Sequence, residues 1–289
     1  MRIYALGDIH GQAEGLAVAH ARIAADRARC GDTAAPVVHV GDLIAKGPAS
    51  REVVQFLMDG QAQGQPWIVL KGNHERMFSI FLDDPEACDP GKRSAGRWID
   101  PAGGGDVVLA SFGVPDASTR PLAEVHTEAL ARVPQATRDW LARLPTSWLS
   151  PLALFVHAGI RPALDLQAQA ETDMLWIRKP FQSDLRDHGV LVVHGHTPGR
   201  RVRHFGNRVN LDTGAATGGP VSAVRIDAEG VWLLTDDAPQ WLGPSQSQRR
   251  IPVDPMGGGV AGSAVDRTEG GHGTGDCGAA GVGGDAGRG

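Results

Sequence analysis

The chain has 289 residues, a formal net charge of −5 and 42% hydrophobic residues, a composition typical of a globular domain with a sizeable core. A negative chain is a poor match for nucleic acid or an acidic membrane surface, both of which favour a basic protein face. No apolar run approaches the ~18–20 residues that a membrane-spanning helix needs. The three cysteines lie far apart and are odd in number, which favours reduced thiols and a cytoplasmic location.

The first half of the chain alternates strand and helix. Apolar and β-branched runs predict strands at 2–6, 36–42 and 67–75, and apolar residues at helical spacing predict helices at 11–29 and 48–62. This alternation is typical of βαβ units, whose parallel strands deliver their following loops to one edge of a sheet.

Residues 85–120 interrupt this pattern with several prolines and three glycines at 103–105, so long helices are not expected there. We interpret the segment as an insertion that forms a lid or a substrate wall. A helical stretch that includes 138–145 follows it. The composition of the glycine-rich tail, 241–289, predicts disorder, which leaves 1–240 as the expected catalytic domain.

The second half is richer in strands. We predict strands at 152–159, 190–196 and 208–215, and an antiparallel hairpin formed by 221–227 and 230–237. Together with the parallel first half, this favours an α+β fold in which two mixed sheets pack together with helices outside.

Polar side chains suited to metal binding follow five of these strands, each beside a glycine. They are Asp8, His10, Asp42, Asn73, His74, His157, His194 and His196. Loops at neighbouring strand ends converge in space, and oxygen and imidazole donors suit manganese, iron, zinc or magnesium. The set is too large for one catalytic ion with an open position. It favours two ions that share a carboxylate and clamp the oxygens of a phosphoryl group.

Five motifs, in order, are GDIHG, GDLIAKGP, GNHE, HAG and HGH. They resemble those of the phosphoprotein phosphatase family of calcineurin-like metallophosphoesterases, over residues 2 to about 236. The resemblance implies a four-layer α/β/β/α sandwich of two mixed sheets. It also implies a bacterial-type enzyme that hydrolyses phosphomonoesters with two divalent ions. We expect manganese, with iron, zinc or magnesium as alternatives.

The resemblance carries a role to each matching residue. Metal ligands are expected at Asp8, His10, Asp42, Asn73, His157 and His196, with Asp42 bridging both ions. His74 would be the general acid, and a hydroxide between the metals would attack phosphorus in line. The substrate phosphate would be bound by Arg178, Lys46 and Lys71. His194 and Asp212 are expected to support the ligands without binding metal themselves.

Two departures from the family pattern bear on activity. Ala45 and Lys46 stand where the family has Asp and Arg, so that His74 lacks its usual carboxylate partner. Lys71 stands where protein phosphatases often have Arg, and lysine supplies charge without the bidentate fork of a guanidinium. These changes keep open a degenerate module that binds metal and phosphate with little turnover.

Two substrate classes are compatible with the motifs. HAGIRP, LWIR and NLDTGA look like bacterial protein phosphatases, which favours phosphoserine or phosphothreonine in a protein. GDLIAKGP looks closer to symmetrical diadenosine tetraphosphate hydrolases, so a dinucleoside polyphosphate is the alternative, with Trp98 and Trp176 as candidates for an aromatic wall. We expect Arg200, Arg201 and Arg203 to lie in a solvated loop, or else near an anionic substrate. Nucleic acid and membranes are not expected partners.

Overall fold

The computed structural model describes residues 1–94 and 96–245, and its strands form two sheets. In the first sheet, β1 (Arg2–Leu6), β2 (Val37–His39) and β3 (Trp67–Val69) pair in parallel. Three later strands extend it in antiparallel fashion: β9 (Ala223–Asp227), β10 (Gly230–Leu233) and β11 (Gln240–Gly243). The resulting order is β11-β10-β9-β1-β2-β3.

The second sheet is formed by residues 147–210. It contains β4 (Ser147–Leu149), β5 (Leu154–Val156), β6 (Val192–His194), β7 (Arg203–His204) and β8 (Arg208–Asn210). The order is β4-β5-β6-β8-β7, with parallel pairs in the middle and an antiparallel pair at each edge. An apolar core that includes Ile3, Val38, Phe155, Val193 and Val209 lies between the two sheets.

Helices cover the outer face of the first sheet. The helices are α1 (Ala13–Cys30), α2 (Ser50–Ala62), α3 (Asn73–Asp83), α4 (Gly105–Ser111), α5 (Leu122–Arg132), α6 (Gln135–Arg143) and α7 (Glu171–Trp176). Leu16, Val53 and Phe78 bring α1, α2 and α3 into one buried cluster with Leu6 and Val69 of the sheet. Ile177 and Phe181, which follow the short α7, cover the second sheet. The predicted α+β sandwich of two mixed sheets flanked by helices is therefore confirmed.

Several details differ from the sequence-based predictions. The strand predicted at 67–75 ends at Val69, and the GNHE motif begins helix α3 instead of a turn. Strand β11 lies beyond the predicted domain end at residue 240, whereas the rest of the predicted tail, from residue 246, is outside the described residues. Cys30 is a free thiol, as expected, whereas Cys277 lies outside the described residues. No helix among the described residues is long and apolar enough to cross a membrane.

The segment predicted as an insertion contributes to the core. Trp98 is 8% exposed, and its ring centroid lies 5.1 Å from those of both Phe78 and Phe81. Val108 and Leu109 of α4 belong to the same buried cluster. This packing makes Trp98 a core residue, which is unavailable to stack on a nucleotide base. A role of the segment as a lid stays a prediction.

The Trp98→Ala substitution tests this packing. We expect it to lower the free energy of unfolding by about 3–5 kcal/mol, because it leaves a large cavity between two phenylalanine rings. Chemical denaturation followed by circular dichroism measures the change. Leu185→Ala is the control, since Leu185 is 81% exposed and its truncation should change stability by about 0.5 kcal/mol or less. Equal stability of the two variants would contradict a core role for Trp98.

Candidate metal centre

The predicted ligands meet where strands of both sheets end. Asp8 and His10 follow β1, Asp42 follows β2, and Asn73 is the first residue of α3 after β3. His157 and His196 come from the second sheet, after β5 and β6. All six residues are at most 6% exposed. The structure therefore brings together side chains that lie up to 188 positions apart in the chain.

The carboxylate of Asp42 lies between two groups of possible ligands. Its Oδ2 is 3.6 Å from His10 Nε2, and its Oδ1 is 3.2 Å from His157 Nε2. Donor atoms of His10, Asp42 and His74 lie within 4.8 Å of one another, and so do those of Asp42, His157 and His196. Asp42 is thus common to both groups, as expected for a carboxylate that bridges two ions. The first group contains His74, which was predicted to be a general acid and not a metal ligand.

Asn73 and Asp8 complete the cluster. Asn73 Oδ1 lies 2.9 Å from His157 Nε2 and 2.9 Å from His196 Nδ1. The Asp8 carboxylate accepts the backbone N–H of His196 at 3.0 and 3.2 Å, and its Oδ2 lies 3.9 Å from His10 Nε2. These contacts join the end of β1 to the end of β6, and so connect the two sheets at the site.

Backbone carbonyl groups orient two of the imidazole rings. His157 Nδ1 lies 3.0 Å from the carbonyl oxygen of Val40, and His10 Nδ1 lies 3.2 Å from that of Ile44. A carbonyl can only accept, so each Nδ1 carries the proton when the ring is neutral. That tautomer leaves the Nε2 lone pair of each ring directed at the carboxylates, which is the usual arrangement of a metal-binding histidine.

Unusual backbone conformations recur at this site. His10, Asp42 and His196 have φ values of 49°, 50° and 64°, in the left-handed region that non-glycine residues seldom adopt. At two positions only glycine fits, because a carboxylate oxygen lies where a Cβ atom would be. A Cβ added at Gly72 would lie 2.3 Å from Asp42 Oδ1, and one added at Gly195 would lie 1.8 Å from Asp8 Oδ1. These contacts explain the glycines of GNHE and HGH.

A buried carboxylate, Glu75, holds the Asp42 loop in place. It is fully buried and accepts the backbone N–H groups of Asp42, Leu43, Ile44 and Gly72 at 2.7–3.2 Å. Burial, followed by the charge of Asp42, raises the pKa of Glu75 to about 7. No role was predicted for Glu75, because GNHE was interpreted as the end of a strand. The missed signal was an acidic residue at the third position of a helix, where it can cap the amino terminus.

The site concentrates negative charge away from water. Burial, and then Asp212, raise the pKa of Asp8 well above its usual range. Burial also favours neutral Asp42, but His157 and then His74 hold the pKa of Asp42 well below its usual range. Buried carboxylates that lie this close together are a strong attraction for divalent cations.

The pKa values of the histidines also bear on the binding of a divalent cation. Burial lowers the pKa of His196 to about 3, so the ring is neutral near pH 7, which is the form that binds metal. His157 differs: burial lowers its pKa as well, but Asp42, together with Asp8 and Glu75, raises that pKa to about 9. A cation on Asp42 would take over the charge that the His157 proton now provides. Oxygen and imidazole donors together therefore fit a pair of divalent ions such as manganese.

His74 lies beside this cluster without the partner that the family pattern provides. Its ring is perpendicular to that of His10, with centroids 5.2 Å apart, and its Nδ1 has no hydrogen-bond partner among the described residues. Ala45 is fully buried in the apolar cluster and has a φ of 75°. Neither Ala45 nor Glu75, whose oxygens are taken by backbone groups, supplies a carboxylate to His74.

The predicted phosphate-binding cations lie in different surroundings. Lys46 donates from Nζ to the carbonyl oxygen of Ala102, and Lys71 donates to that of Ala142 at 3.2 Å. The Lys71 ammonium also lies 3.9 Å from Glu171. Arg178 is exposed, and its charge contributes to the low pKa of His196. Their role in binding phosphate stays a prediction.

The two predicted supporting residues are close to the ligands. The His194 ring packs edge-on against Phe181, with centroids 5.1 Å apart, and its Nε2 has no partner among the described residues. Asp212 accepts the backbone N–H of Gly214 at 2.9 Å and acts electrostatically on Asp8. No hydrogen bond joins Asp212 to a ligand histidine within the described residues, so its supporting role stays a prediction.

Comparison with known proteins identifies the family. A family model described as calcineurin-like phosphoesterase matches residues 1–224, most of the described chain. The chain belongs to this family. It is thus a metal-dependent phosphoester hydrolase, and the family binds divalent metal ions. The predicted family relationship is confirmed.

Individual relatives differ in what they act on. An asymmetrical bis(5'-nucleosyl)-tetraphosphatase, PrpE of Anoxybacillus flavithermus, is 25% identical over 202 residues, which are 64% of this chain and 73% of the relative. A crystal structure of a candidate diadenosine tetraphosphatase is 20% identical, with a TM-score of 0.53 over 84% of this chain and 95% of the other. The cold-active protein-tyrosine phosphatase of a psychrophilic Shewanella is 17% identical, with a TM-score of 0.50 over 83% and 80%. The two structural likenesses show the fold alone.

Glu75→Gln tests how far the metal centre depends on the buried carboxylate. The amide has one acceptor oxygen where the carboxylate has two, so at least one backbone N–H near Asp42 loses its partner. We expect metal affinity to fall by about 10–100-fold, as for other groups that orient metal ligands. Calorimetric titration with Mn²⁺ measures this. The exposed Glu124 provides the control, Glu124→Gln, and unchanged affinity in the Glu75 variant would refute the role.

Proposed function

We propose that this chain is a serine/threonine protein phosphatase that hydrolyses phosphomonoesters with two divalent ions. The observation that supports this is the position of Asp42, whose two carboxylate oxygens face His10 on one side and His157 on the other. A carboxylate shared in this way suits a pair of ions at a spacing that matches one phosphoryl group.

The residues that would hold the ions are those predicted from the motifs. One ion would be bound by Asp8, His10 and Asp42, and the other by Asp42, Asn73, His157 and His196. When bound, the two ions supply positive charge for the phosphoryl oxygens and activate water as the nucleophile. Manganese is the proposed metal, with iron, zinc or magnesium as alternatives, because the donors are oxygen and imidazole.

His74 is the proposed donor of a proton to the leaving oxygen. Its backbone N–H donates to Asp42 Oδ1 at 3.1 Å, which fixes its place at the edge of the cluster. Burial lowers its pKa to about 3, although Asp42 acts in the opposite direction, so the ring is neutral near pH 7 before substrate binds. The negative charge of a bound phosphate would raise this pKa and so favour the protonated ring that a general acid requires.

The proposed preference for a protein substrate rests on the surroundings of the centre. Trp98, one of two tryptophans expected to form a wall for a nucleotide base, is buried between phenylalanines. Lys46 and Arg178 are proposed to bind the phosphate group of the substrate. Their charge places no requirement on the group from which the phosphate is released. A phosphorylated side chain of an extended peptide needs a cation for its phosphate and no aromatic wall, so it fits these surroundings.

A dinucleoside polyphosphate remains the second candidate, favoured by one observation. The Trp176 ring lies 5.9 Å from that of His196, in perpendicular orientation, at the side of the proposed second ion. An indole in this position could contact a base or a peptide side chain. The similarity to an asymmetrical bis(5'-nucleosyl)-tetraphosphatase also supports this candidate.

His74→Gln distinguishes a general acid from a metal ligand. For a general acid we expect metal content to be retained, and turnover of an alkyl phosphate to fall by about 10²-fold or more, because its leaving oxygen needs a proton. Turnover of p-nitrophenyl phosphate, with its stable leaving group, should fall much less. Metal analysis of the purified variant is the control. Loss of one ion per chain, with equal losses on both esters, would instead assign His74 as a ligand.

The substrate is tested by phosphate release with manganese from a phosphothreonine peptide and by hydrolysis of diadenosine tetraphosphate. We expect a higher kcat/KM on the peptide. If the dinucleotide is preferred, its products decide the mode, since symmetrical cleavage yields two molecules of ADP and asymmetrical cleavage yields ATP and AMP.

Asp42→Asn is the background control for both assays. We expect it to lose metal and turnover together, because Asp42 is assigned to both ions. Full activity in this variant would refute the proposed centre. Stoichiometric metal in the parent protein without turnover of any ester would support the binding module in place of an enzyme.

A further inference from the structure

The segment after the last metal motif has an unusual charge. Between Asp187 and Asp212 the chain carries four arginines and no carboxylate, although the whole chain has a net charge of −5. The arginines are Arg200, Arg201, Arg203 and Arg208. One of them, Arg208, is buried, and its guanidinium lies 3.8 Å from the centroid of the Phe205 ring. The other three are exposed, and we call them the arginine patch.

The arginine patch has no ionic partner in the part of the chain that the structure describes. Within residues 1–94 and 96–245, no carboxylate oxygen lies within 4.0 Å of the Arg200, Arg201 or Arg203 guanidinium. Many arginines elsewhere in the chain are paired, for example Arg76 with Asp89 and Arg161 with Asp173. Exposed arginines that lack internal partners keep all their donors available to an external anion.

Hydrogen bonds fix the residues that connect His196 to the arginine patch. Thr197 Oγ1 accepts from Gln182 Nε2 at 2.6 Å, and the Thr197 carbonyl accepts from Asn210 Nδ2 at 2.7 Å. The Gly199 N–H donates to the Asp212 carbonyl at 3.0 Å. Arg200 follows His196 by only four residues, which span about 14 Å at most. The patch is therefore anchored within reach of a substrate bound at His196.

The same anchoring brings a further arginine close. Gln182, which binds Thr197, donates its own backbone N–H to the carbonyl of Arg178 at 2.9 Å. Arg178 is exposed and acts electrostatically on His196. An exposed arginine therefore stands in each of the two segments, 178–182 and 197–201, that the hydrogen bond between Gln182 and Thr197 joins.

We propose that the arginine patch binds acidic residues that flank the phosphorylated side chain of a protein substrate. This rests on the proposed protein phosphatase function and adds a substrate class to it. Guanidinium groups pair well with carboxylates, and complementary charge at an exposed rim improves association more than it alters chemistry. The patch should therefore lower KM for acidic phosphopeptides, and high salt should weaken this effect.

The test compares two double variants on three substrates. Arg200→Gln with Arg201→Gln removes two patch charges, and Arg120→Gln with Arg132→Gln removes two charges from a region around α5. The substrates are a phosphothreonine peptide with acidic flanks, the same peptide with neutral flanks, and p-nitrophenyl phosphate. For the patch variant we expect KM on the acidic peptide to rise about three- to tenfold at low salt. Its kcat on that peptide and its kinetics on p-nitrophenyl phosphate should be unchanged.

Other outcomes separate the two proposals. Equal KM values of the parent protein for acidic and neutral peptides would overturn the patch alone, and so would equal effects of the two double variants. A KM increase confined to diadenosine tetraphosphate would assign the patch to a polyphosphate and overturn it as a peptide surface. No hydrolysis of either peptide, with intact hydrolysis of p-nitrophenyl phosphate, would overturn the protein phosphatase function and the patch proposal with it.

Discussion

The four hydrogen bonds accepted by the buried Glu75 carboxylate support the geometry of the whole site. They connect the start of α3 to the loop after β2, so that Asp42 is fixed relative to Asn73 although 31 residues separate them in the chain. A carboxylate in a fully buried position is costly unless its oxygens are satisfied, and here backbone N–H groups satisfy both. Asp42 then faces histidines of both groups without being able to rotate its loop away.

This constraint also accounts for the unusual backbone around the centre. His10, Asp42 and His196 have positive φ, a conformation that costs free energy for residues with a side chain. Such a conformation persists only when surrounding contacts determine it. The Asp8 carboxylate provides one such contact, because it accepts the N–H of His196 and so ties the turn after β6 to the end of β1. Turns that follow strands of both sheets therefore hold the six expected metal ligands close together.

Much of the ligand set could be predicted from the sequence, because each ligand comes shortly after an apolar run and has a glycine within two residues of it. Asp8, Asp42 and His157 are of this kind. Glu75 could not be recognised in the same way, since three of the four backbone N–H groups that it accepts belong to a loop more than 30 positions away. Trp98 was misjudged for a related reason: a proline- and glycine-rich segment gives no periodicity from which to infer that its tryptophan packs against α3. Packing of irregular segments depends on tertiary contacts that local patterns do not record.

Charge is distributed unevenly between the inside and the rim of this site. Asp8, Asp42 and Asp212 lie buried near one another, where each raises the cost of ionising its neighbours and a divalent cation relieves that cost. The exposed arginines after His196 have the opposite sign, and no carboxylate oxygen of the described residues lies within 4.0 Å of their guanidinium groups. Hydrogen bonds with Gln182, Asn210 and Asp212 fix the turn that joins His196 to these arginines. The proposed surface for an anionic substrate and an expected metal ligand therefore lie on one short, anchored segment of chain.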